Sequence, residues 1–416
     1  MKIRLRKFKP DGKRDVNTRG LFIHAMTLQN CTGASLTFET DESYELKMET
    51  PMSVAYVRIK AKNYFGLRHG LETLEQLMFF NDITRQIQMP SGAIVIDGPS
   101  YPHRGVMLDT SRNFLDKFTI KRTIVGMGMS KLNTLHWHMT DQHSFPYFSR
   151  TWPNMTRFGA YSPSKVYTAE DIKEIKDFGI YHGVRVIPEL DAPAHVGEGW
   201  QWIDDALICY RDISWTNNCP APPCGQLNPL NEKVYEVLEG LYKDLLKDFD
   251  PDVFHLGGDQ VNKNCWQSSQ AIRRWANSTD LNLQNKMFFK LWNNFQARAY
   301  QKLKAANGGK DKQAILWTSG EVILWSESAD KNSLDVQLWP RAVALAGRLW
   351  NDDISSSRNA WRDVESRMFL HRDRLVDRGI LAQTMAPEWC HQNLGLCRLP
   401  IEILVGEDSR YTIFPD

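Results

Sequence analysis

The sequence has no excess of charge of either sign: 51 basic and 49 acidic side chains among 416 residues leave a formal net charge of +2. This balance gives no general field for nucleic acid or an anionic membrane, so we expect no nucleic-acid partner and favour a neutral one. No run of 18 apolar residues is present, which argues against a membrane-spanning helix. Residues 1–7 precede polar sequence rather than the apolar segment of a signal peptide, and we expect the natural N-terminus to lie upstream.

Cysteine is sparse, and six of the seven residues stand in loop-like surroundings rich in Pro, Asn and Gly: Cys209, Cys219, Cys224, Cys265, Cys390 and Cys397. Three disulfides with Cys31 unpaired is the simplest interpretation, and free buried thiols, typical of a cytosolic protein, are the alternative. Short loops favour pairing of Cys219 with Cys224 and of Cys390 with Cys397. Three glycosylation sequons, at Asn30, Asn154 and Asn277, favour a secretory route, with an extracellular or lysosomal destination.

Residues 1–98 form the first predicted domain, a small α/β unit that is truncated at its start. An extended run at residues 54–59 precedes a stretch at 64–77 whose apolar residues recur every three or four positions, which predicts an amphipathic helix. Pro99 and Pro102 then mark a boundary.

Residues 99–416 form the second predicted domain, in which apolar strands alternate with helices. The predicted strands are residues 104–109, 132–141, 184–191, 253–259, 314–317 and 322–327. Several end on an acid, which is typical of a (β/α)₈ barrel whose site lies at the carboxyl ends of its strands. A doubly wound open sheet is the rival fold, but no Gly-x-Gly-x-x-Gly turn follows any strand.

The strand count is two short of a closed barrel. Trp317 and Trp325 are too close in sequence for consecutive parallel strands, because a parallel crossover needs about a dozen residues. Either residues 318–321 close an antiparallel hairpin, or two strands have been lost and the barrel is incomplete.

The segment His255-Leu256-Gly257-Gly258-Asp259-Gln260 places an acid and an amide after an apolar strand and two glycines. Glycines permit the sharp turn that holds such side chains over a cleft. The segment resembles the His-x-Gly-Gly-Asp-Glu signature of glycoside hydrolase family 20, the β-N-acetylhexosaminidases of arthropod and lysosomal type, with Gln260 where the family has glutamate. The resemblance covers nearly the whole chain, through further motifs at residues 104–112, 131–141, 188–195, 325–327 and 339–342.

The resemblance implies roles for individual residues. Arg112 and Glu327 would bind hydroxyls of the terminal sugar, Trp317 and Trp325 would enclose its N-acetyl group, and Asp141, Asp191 and His195 would surround the acid position. Asp259 would hold the substrate's acetamido group, whose oxygen attacks the anomeric carbon in place of an enzyme nucleophile. The resemblance also implies that Cys209 pairs with Cys265.

Three alternatives without catalysis stay open at these positions. Asp259 would serve only as the cap of the following helix. His136 and His138 would form either a metal pair or, as we favour, a chain of hydrogen-bonded core histidines. Arg112 and Asp141 would make an ordinary buried ion pair.

The family activity implied is removal of terminal N-acetylhexosamine by a substrate-assisted, retaining mechanism. Substrates would be β-linked N-acetylglucosamine or N-acetylgalactosamine oligosaccharides, with no cofactor or metal and with a homodimer left open. Three departures bear on activity: Gln260, the missing segment, and Gly347 where a glutamate is usual. An engineered inactive variant would explain the first alone, and a degenerate copy or a faulty gene model would explain all three. The rival function is a sugar-binding pseudoenzyme that keeps Asp259, Arg112 and Glu327 for recognition.

Overall fold

A computed structural model describes residues 2–4, 20–28, 35–81, 85–278, 285–311, 319–352, 360–393 and 397. The predictions for Asn30, Cys31 and Trp317, and the strand expected at 314–317, lie outside these residues. Among the described helices, none is long and apolar enough to cross a lipid bilayer.

Within its described residues, the N-terminal part contains seven strands and one α-helix: β1 (Lys2–Arg4), β2 (Leu21–Thr27), β3 (Tyr44–Glu49), β4 (Ala55–Ala61), α1 (Tyr64–Gln76), β5 (Phe79–Asn81), β6 (Gln86–Gln88) and β7 (Ala93–Asp97). Five strands form one sheet in the order β1-β7-β3-β4-β2. In β4, buried and exposed residues alternate, so its apolar side chains share one face. Helix α1 is held at its start by Asn63, whose side chain accepts two backbone N–H bonds. The predicted strand and helix are both present.

The second part begins with alternating strands and helices: β8 (His103–Asp109), α2 (Lys117–Met129), β9 (Thr134–His138), α3 (Asn154–Gly159), α4 (Ala169–Tyr181), β10 (Arg185–Glu189), β11 (Leu207–Ile208), α5 (Trp215–Asn218), β12 (Gln226–Leu227) and α6 (Glu232–Phe249). It continues with α7 (Lys263–Ser268), α8 (Gln270–Ser278), α9 (Asn285–Ala306), β13 (Ser319–Leu324), α10 (Leu334–Leu338), α11 (Arg341–Trp350), α12 (Ala360–Asp377) and α13 (Glu388–Gln392).

Four parallel strands, in the order β10-β9-β8-β13, form the barrel sheet within the described residues. Strands β8, β9 and β10 are buried at every position, because helices cover one face and barrel side chains fill the other. The strand predicted at 253–259 is wrong as a full strand: only His255 bridges to β10, at Glu189. The two glycines that follow take positive φ and end the pairing.

The hairpin considered for residues 318–321 is wrong. Ser319, Gly320 and Glu321 lie inside β13, which pairs in parallel with β8 from Ser319 opposite His103 to Leu324 opposite Leu108. The loss of two strands therefore stays a prediction, as does the division of the chain at residue 98.

A buried carboxylate joins the two parts of the chain. Both Glu42 oxygens accept hydrogen bonds from the Arg104 guanidinium, at 2.8 and 3.0 Å, and further bonds come from His69 and Asn133. Burial alone would raise the pKa of Glu42, but the charge of Arg104 and the contact with His69 outweigh it and hold that pKa at about 2. Stability from Glu42 is thus present above pH 4.5 and lost as the pH falls towards 2.

Replacing Arg104 by methionine is expected to lower the free energy of unfolding by ~3–5 kcal/mol, because it leaves the Glu42 charge buried without its main partner. Chemical denaturation at neutral pH measures this loss. The matched control is Arg58→Met, which removes an exposed arginine from β4. A loss for Arg104→Met no larger than the control's would contradict the account.

Candidate active site

Strand register brings polar residues together at the carboxyl end of the barrel sheet. Asp109 at the end of β8 lies opposite His138 at the end of β9, and His138 lies opposite Glu189 at the end of β10. The bridge from Glu189 to His255 extends this row by one residue. The loops that follow each strand then carry the residues singled out in the sequence, so parallel pairing alone sets them around one cleft.

His138 lies between two buried carboxylates. Its Nδ1 is 2.8 Å from Glu189 Oε2, and its Nε2 is 2.8 Å from Asp141 Oδ2. Burial alone would lower the pKa of His138, but the two carboxylates raise it well above its ordinary value. Burial would raise the pKa of Asp141, yet hydrogen bonds from His138 and other histidines hold it well below its ordinary value. The row therefore carries fixed opposite charges in its interior.

His136 and Glu321 extend this row deeper into the barrel. His136 Nε2 is 2.8 Å from Glu189 Oε2, and its Nδ1 is 2.9 Å from Glu321 Oε2. Glu189 also approaches His255 Nδ1, at 2.9 Å. Donor atoms of His136, Glu189 and His255 lie close enough to hold a cation. Because Glu189 forms a hydrogen bond with His138 and lies within ion-pair distance of His136 and His255, the arrangement favours the predicted histidine network over a metal pair.

Arg112 is the cation at the centre of the cleft. Its Nη1 lies 2.8 Å from Asp141 Oδ2 and 3.3 Å from Asp109 Oδ2. Its guanidinium carbon lies 4.7 Å from the centre of the Trp325 ring, and its Nε lies 3.9 Å from Glu327 Oε1. The ion pair between Arg112 and Asp141 is therefore present in the structure. Arg112 also contacts the aromatic and acidic residues that the resemblance assigns to sugar binding.

Asp109 positions the segment that carries Trp325 and Glu327. Its Oδ2 accepts bonds from the Ser326 backbone N–H at 3.1 Å and from the Ser326 hydroxyl at 3.0 Å. The Trp325 side chain is 38% exposed and that of Glu327 is 54% exposed. Both side chains are therefore available to a ligand, while the backbone between them is fixed.

The two glycines before Asp259 form the turn that the sequence predicts. Gly257 has φ +63° and Gly258 has φ +109°. A Cβ at Gly257 would lie 1.9 Å from Asp191 Oδ1, so no larger residue fits against that carboxyl group. Asp191 accepts the Gly258 N–H at 2.7 Å. Burial and the neighbouring Glu189 charge raise the pKa of Asp191 to about 7.

The turn leaves Asp259 free of a capping role. Helix α7 is capped by Asn262, whose side chain accepts the N–H groups of Asn264 and Cys265. The alternative that Asp259 only caps this helix is therefore wrong. Its side chain is 59% exposed, and its Oδ1 lies 3.7 Å from His195 Nε2.

His195 connects Gln260 to the buried row. Its Nε2 lies 3.0 Å from Gln260 Oε1, and its Nδ1 lies 3.3 Å from Asp141 Oδ2. Both His195 and Gln260 have positive φ, +56° and +48°, a backbone conformation that costs free energy in residues other than glycine. Burial alone would lower the pKa of His195, but contact with Asp141 and the charge of Asp191 raise it to about 9.

All three predicted disulfides are present, with Cα–Cα distances of 5.7 Å for Cys209–Cys265, 5.5 Å for Cys219–Cys224 and 5.6 Å for Cys390–Cys397. The alternative of free buried thiols is wrong for these six residues. Asn277 is exposed and Asn154 is half-buried. Glycosylation at either stays a prediction.

Glu189, Asp109 and Glu321 carry no role predicted from the sequence. Their signal was weak, because each is an acid in or at the end of a strand whose other residues are apolar. In the hairpin alternative Glu321 lies in the turn, whereas the structure places it inside β13. Of the predicted site residues, the structure brings together Arg112, Asp141, Asp191, His195, Trp325, Glu327, Asp259 and Gln260.

Two family profiles match the chain. The profile described as "Glycosyl hydrolase family 20, catalytic domain" matches residues 101–322 and 290–353, and "beta-acetyl hexosaminidase like" matches residues 2–77. Among curated relatives, the "Chitooligosaccharidolytic beta-N-acetylglucosaminidase" of Ostrinia furnacalis is 38% identical over 464 residues, covering 89% of this chain and 77% of the relative. The "Beta-hexosaminidase subunit beta" of Homo sapiens is 30% identical, covering 89% of this chain and 77% of the relative.

Solved structures with the same fold include a Flavobacterium johnsoniae chitobiase, with TM-score 0.64 and 22% identity, covering 83% of this chain and 61% of that one. A Vibrio harveyi GH20 exo-β-N-acetylglucosaminidase in complex with N-acetylglucosamine gives TM-score 0.65 at 20% identity, and the match covers 88% of this chain and 69% of that one. These similarities confirm the predicted barrel fold with an α/β domain before it.

Proposed function

The chain belongs to glycoside hydrolase family 20, and on that basis we propose that it hydrolyses terminal non-reducing N-acetyl-D-hexosamine residues from β-N-acetylhexosaminides. The relatives are named for this chemistry, as β-N-acetylglucosaminidases and hexosaminidases. Nothing in these similarities favours the binding-only pseudoenzyme over hydrolysis.

The proposal rests on Asp259, which is exposed where the cleft opens above the buried charged residues. Asp259 lies 3.7 Å from His195, and Arg112 approaches both Trp325 and Glu327. A sugar in this cleft would place its acetamido group against Asp259, whose negative charge would balance the positive charge that develops at the anomeric carbon. Arg112 and Glu327 would bind ring hydroxyls, and Trp325 would cover an apolar face of the sugar.

Gln260 limits this chemistry at one step. A carboxamide has no acidic proton comparable to that of glutamic acid, so it hydrogen-bonds to the leaving oxygen without protonating it efficiently. A general acid is typically worth ~10²–10⁴ in rate. The chain should therefore act best on substrates whose leaving group departs as a stable phenolate.

The acetamido group of the substrate is expected to be essential for turnover. 4-Nitrophenyl N-acetyl-β-D-glucosaminide should be hydrolysed, and 4-nitrophenyl β-D-glucoside, which has a hydroxyl in place of that group, should not, by a factor of ~10³ or more. Release of nitrophenolate measures both rates with the same leaving group.

Asp177→Asn is the control variant, because Asp177 is an exposed residue of α4 that forms an ion pair with Lys173 on the helix surface. Its rates should equal those of the unmodified chain. Equal hydrolysis of the glucoside and the N-acetylglucosaminide would refute participation of the acetamido group, and hydrolysis of neither would refute the proposed activity.

We place the chain in the secretory pathway, extracellular or lysosomal, which its three disulfides support. The alignment with the Ostrinia furnacalis relative spans 464 positions against the 416 residues of the chain, which supports a missing segment. Either N-acetylglucosamine or N-acetylgalactosamine is accepted as the terminal sugar, and a homodimer is the assembly to test.

A further inference from the structure

The leaving group needs a proton, and position 260 offers a carboxamide instead of a carboxylic acid. The ionisable side chain in hydrogen-bonding contact with that carboxamide is His195, whose Nε2 lies 3.0 Å from Gln260 Oε1. His195 is 6% exposed, whereas Gln260 is exposed to solvent. Gln260 is the hydrogen-bonded route from His195 Nε2 to a substrate, because Asp259 Oδ1 lies farther from that nitrogen, at 3.7 Å.

The charged groups that face His195 come from four loops. Asp141 Oδ2 lies 3.3 Å from Nδ1, and Asp259 Oδ1 lies 3.7 Å from Nε2. Asp191, whose pKa is raised to about 7, adds a negative charge when it is ionised, and the Arg112 guanidinium, 3.2 Å from Nδ1, opposes these acids. The acids prevail and hold the pKa of His195 at about 9. A pKa of about 9 favours the imidazolium form at neutral pH, with Nδ1 beside Asp141 and Nε2 beside Gln260.

This charge state fixes the orientation of the Gln260 amide. An imidazolium only donates hydrogen bonds, so the group that faces Nε2 must be the amide oxygen. The NH₂ end of the amide is then the part of the side chain left for the cleft, where Gln260 is exposed to solvent. The carboxamide thus separates a buried proton donor from the position of the leaving oxygen.

We propose that His195 is the proton source for glycosidic cleavage in this chain, and that the Gln260 carboxamide relays the proton to the leaving oxygen. This inference rests on the proposed function, because it concerns the same reaction. His195 acts through Gln260 and does not contact the substrate.

The relay conserves atoms and charge in the first half of the reaction. The bond from the anomeric carbon to the leaving oxygen breaks as the acetamido oxygen bonds to that carbon. A proton moves from Gln260 Nε2 to the leaving oxygen while the His195 Nε2 proton moves to Gln260 Oε1. The products are an alcohol, a cyclic oxazolinium beside Asp259, a neutral His195 and Gln260 in its imidic acid form.

The second half restores the starting state. Water attacks the anomeric carbon and gives one proton to Gln260 Nε2, and the proton on Gln260 Oε1 returns to His195. The only further reactant is water. Because the imidic acid is less stable than the amide, the relay should be slower than direct donation by a carboxylic acid.

Two substitutions that interrupt the relay test it. His195→Phe removes the proton source, and Gln260→Met keeps the length of the side chain without an exchangeable proton. For each variant, the rate on chitobiose divided by the rate on 4-nitrophenyl N-acetyl-β-D-glucosaminide should fall by ~10-fold or more, because only the sugar leaving group needs the proton. A merely structural role would lower both rates together and leave the ratio unchanged.

The pH profile supplies an independent readout. For the unmodified chain, kcat on chitobiose should fall as the pH rises through about 9, where His195 loses its proton. Asp141→Asn should move this fall to lower pH, because the acid that stabilises the imidazolium is gone. The rate on the nitrophenyl substrate should show no such fall. When Gln260 is first replaced by glutamate, His195→Phe should change the ratio of the two substrate rates less, since the carboxylic acid donates its proton directly to the leaving oxygen.

An unchanged substrate ratio in both His195→Phe and Gln260→Met would overturn the inference, as would a chitobiose profile that is flat through pH 9. Loss of nitrophenyl activity together with a lowered unfolding temperature identifies a variant that fails to fold. If His195→Phe fails in this way, Gln260→Met decides the outcome, because it leaves the buried His195 unchanged. If the unmodified chain cleaves neither substrate, the proposed function itself fails. Turnover of the nitrophenyl substrate with an unchanged ratio defeats only the relay.

Discussion

Replacing Gln260 by glutamate is expected to raise the rate of chitobiose cleavage by up to ~10²–10⁴-fold, the usual contribution of a general acid. The side chain keeps its length, and His195 Nε2, now 3.0 Å from the amide oxygen, would contact a carboxyl oxygen in its place. A protonated carboxyl group at this position donates directly to the leaving oxygen. Steady-state kinetics on chitobiose measure the gain.

The control substrate separates proton donation from improved binding. The rate on 4-nitrophenyl N-acetyl-β-D-glucosaminide should change far less, because nitrophenolate departs without a proton. Gln270→Glu is the matched control variant, since it makes the same chemical change at the exposed first residue of α8. An equal gain on both substrates, or a gain in Gln270→Glu, would contradict the assignment of position 260 as the donor site.

Replacing Asp259 by asparagine is expected to lower kcat by ~10²–10³ on both chitobiose and the nitrophenyl substrate. Asp259 keeps an exposed negative charge within 3.7 Å of His195, and asparagine preserves its shape while removing that charge. The charge balances the oxazolinium that forms with either leaving group, so the ratio of the two rates should stay constant. This pattern is the opposite of that expected for Gln260.

Binding measurements complete the test of Asp259. Titration of N-acetylglucosamine followed by Trp fluorescence should show weaker binding in Arg112→Ala, because Arg112 contacts Trp325 and approaches Glu327. Asp259→Asn should retain binding to a larger extent, since its main loss is in the transition state. If Asp259→Asn keeps full activity on both substrates, the acetamido mechanism has been assigned to the wrong residue.

Much of the fold was predictable because hydrophobic patterns reflect local geometry. The alternating strand β4 and the amphipathic helix α1 were found almost to their ends. Strands β8 and β10 were found because burial on both faces gives continuous apolar runs. The segment after α6 was less predictable: the apolar run predicts a strand over residues 253–259, yet pairing there is limited to His255, because the positive φ of Gly257 and Gly258 turns the chain away.

The candidate site was predictable where a motif names its residues and unpredictable where contacts depend on register. Asp259, Gln260 and His195 were identified by their motifs. The contacts of His136 with Glu321 and Glu189 require β13 to lie beside β8 and β10 beside β9. This strand order cannot be predicted from the local sequence of any one strand. The alternative in which Asp259 only caps the next helix is wrong, because the Asn262 side chain makes the capping bonds.

The anomeric configuration of the first sugar released tests the central claim most directly. Attack by the acetamido oxygen followed by attack of water inverts the anomeric carbon twice, so the product should form as the β-anomer. Proton NMR of the early reaction with 4-nitrophenyl N-acetyl-β-D-glucosaminide records the configuration before mutarotation. The account predicts β-N-acetylglucosamine as the first product, formed much more slowly by Asp259→Asn. Release of the α-anomer would show direct displacement by water and would contradict the substrate-assisted mechanism.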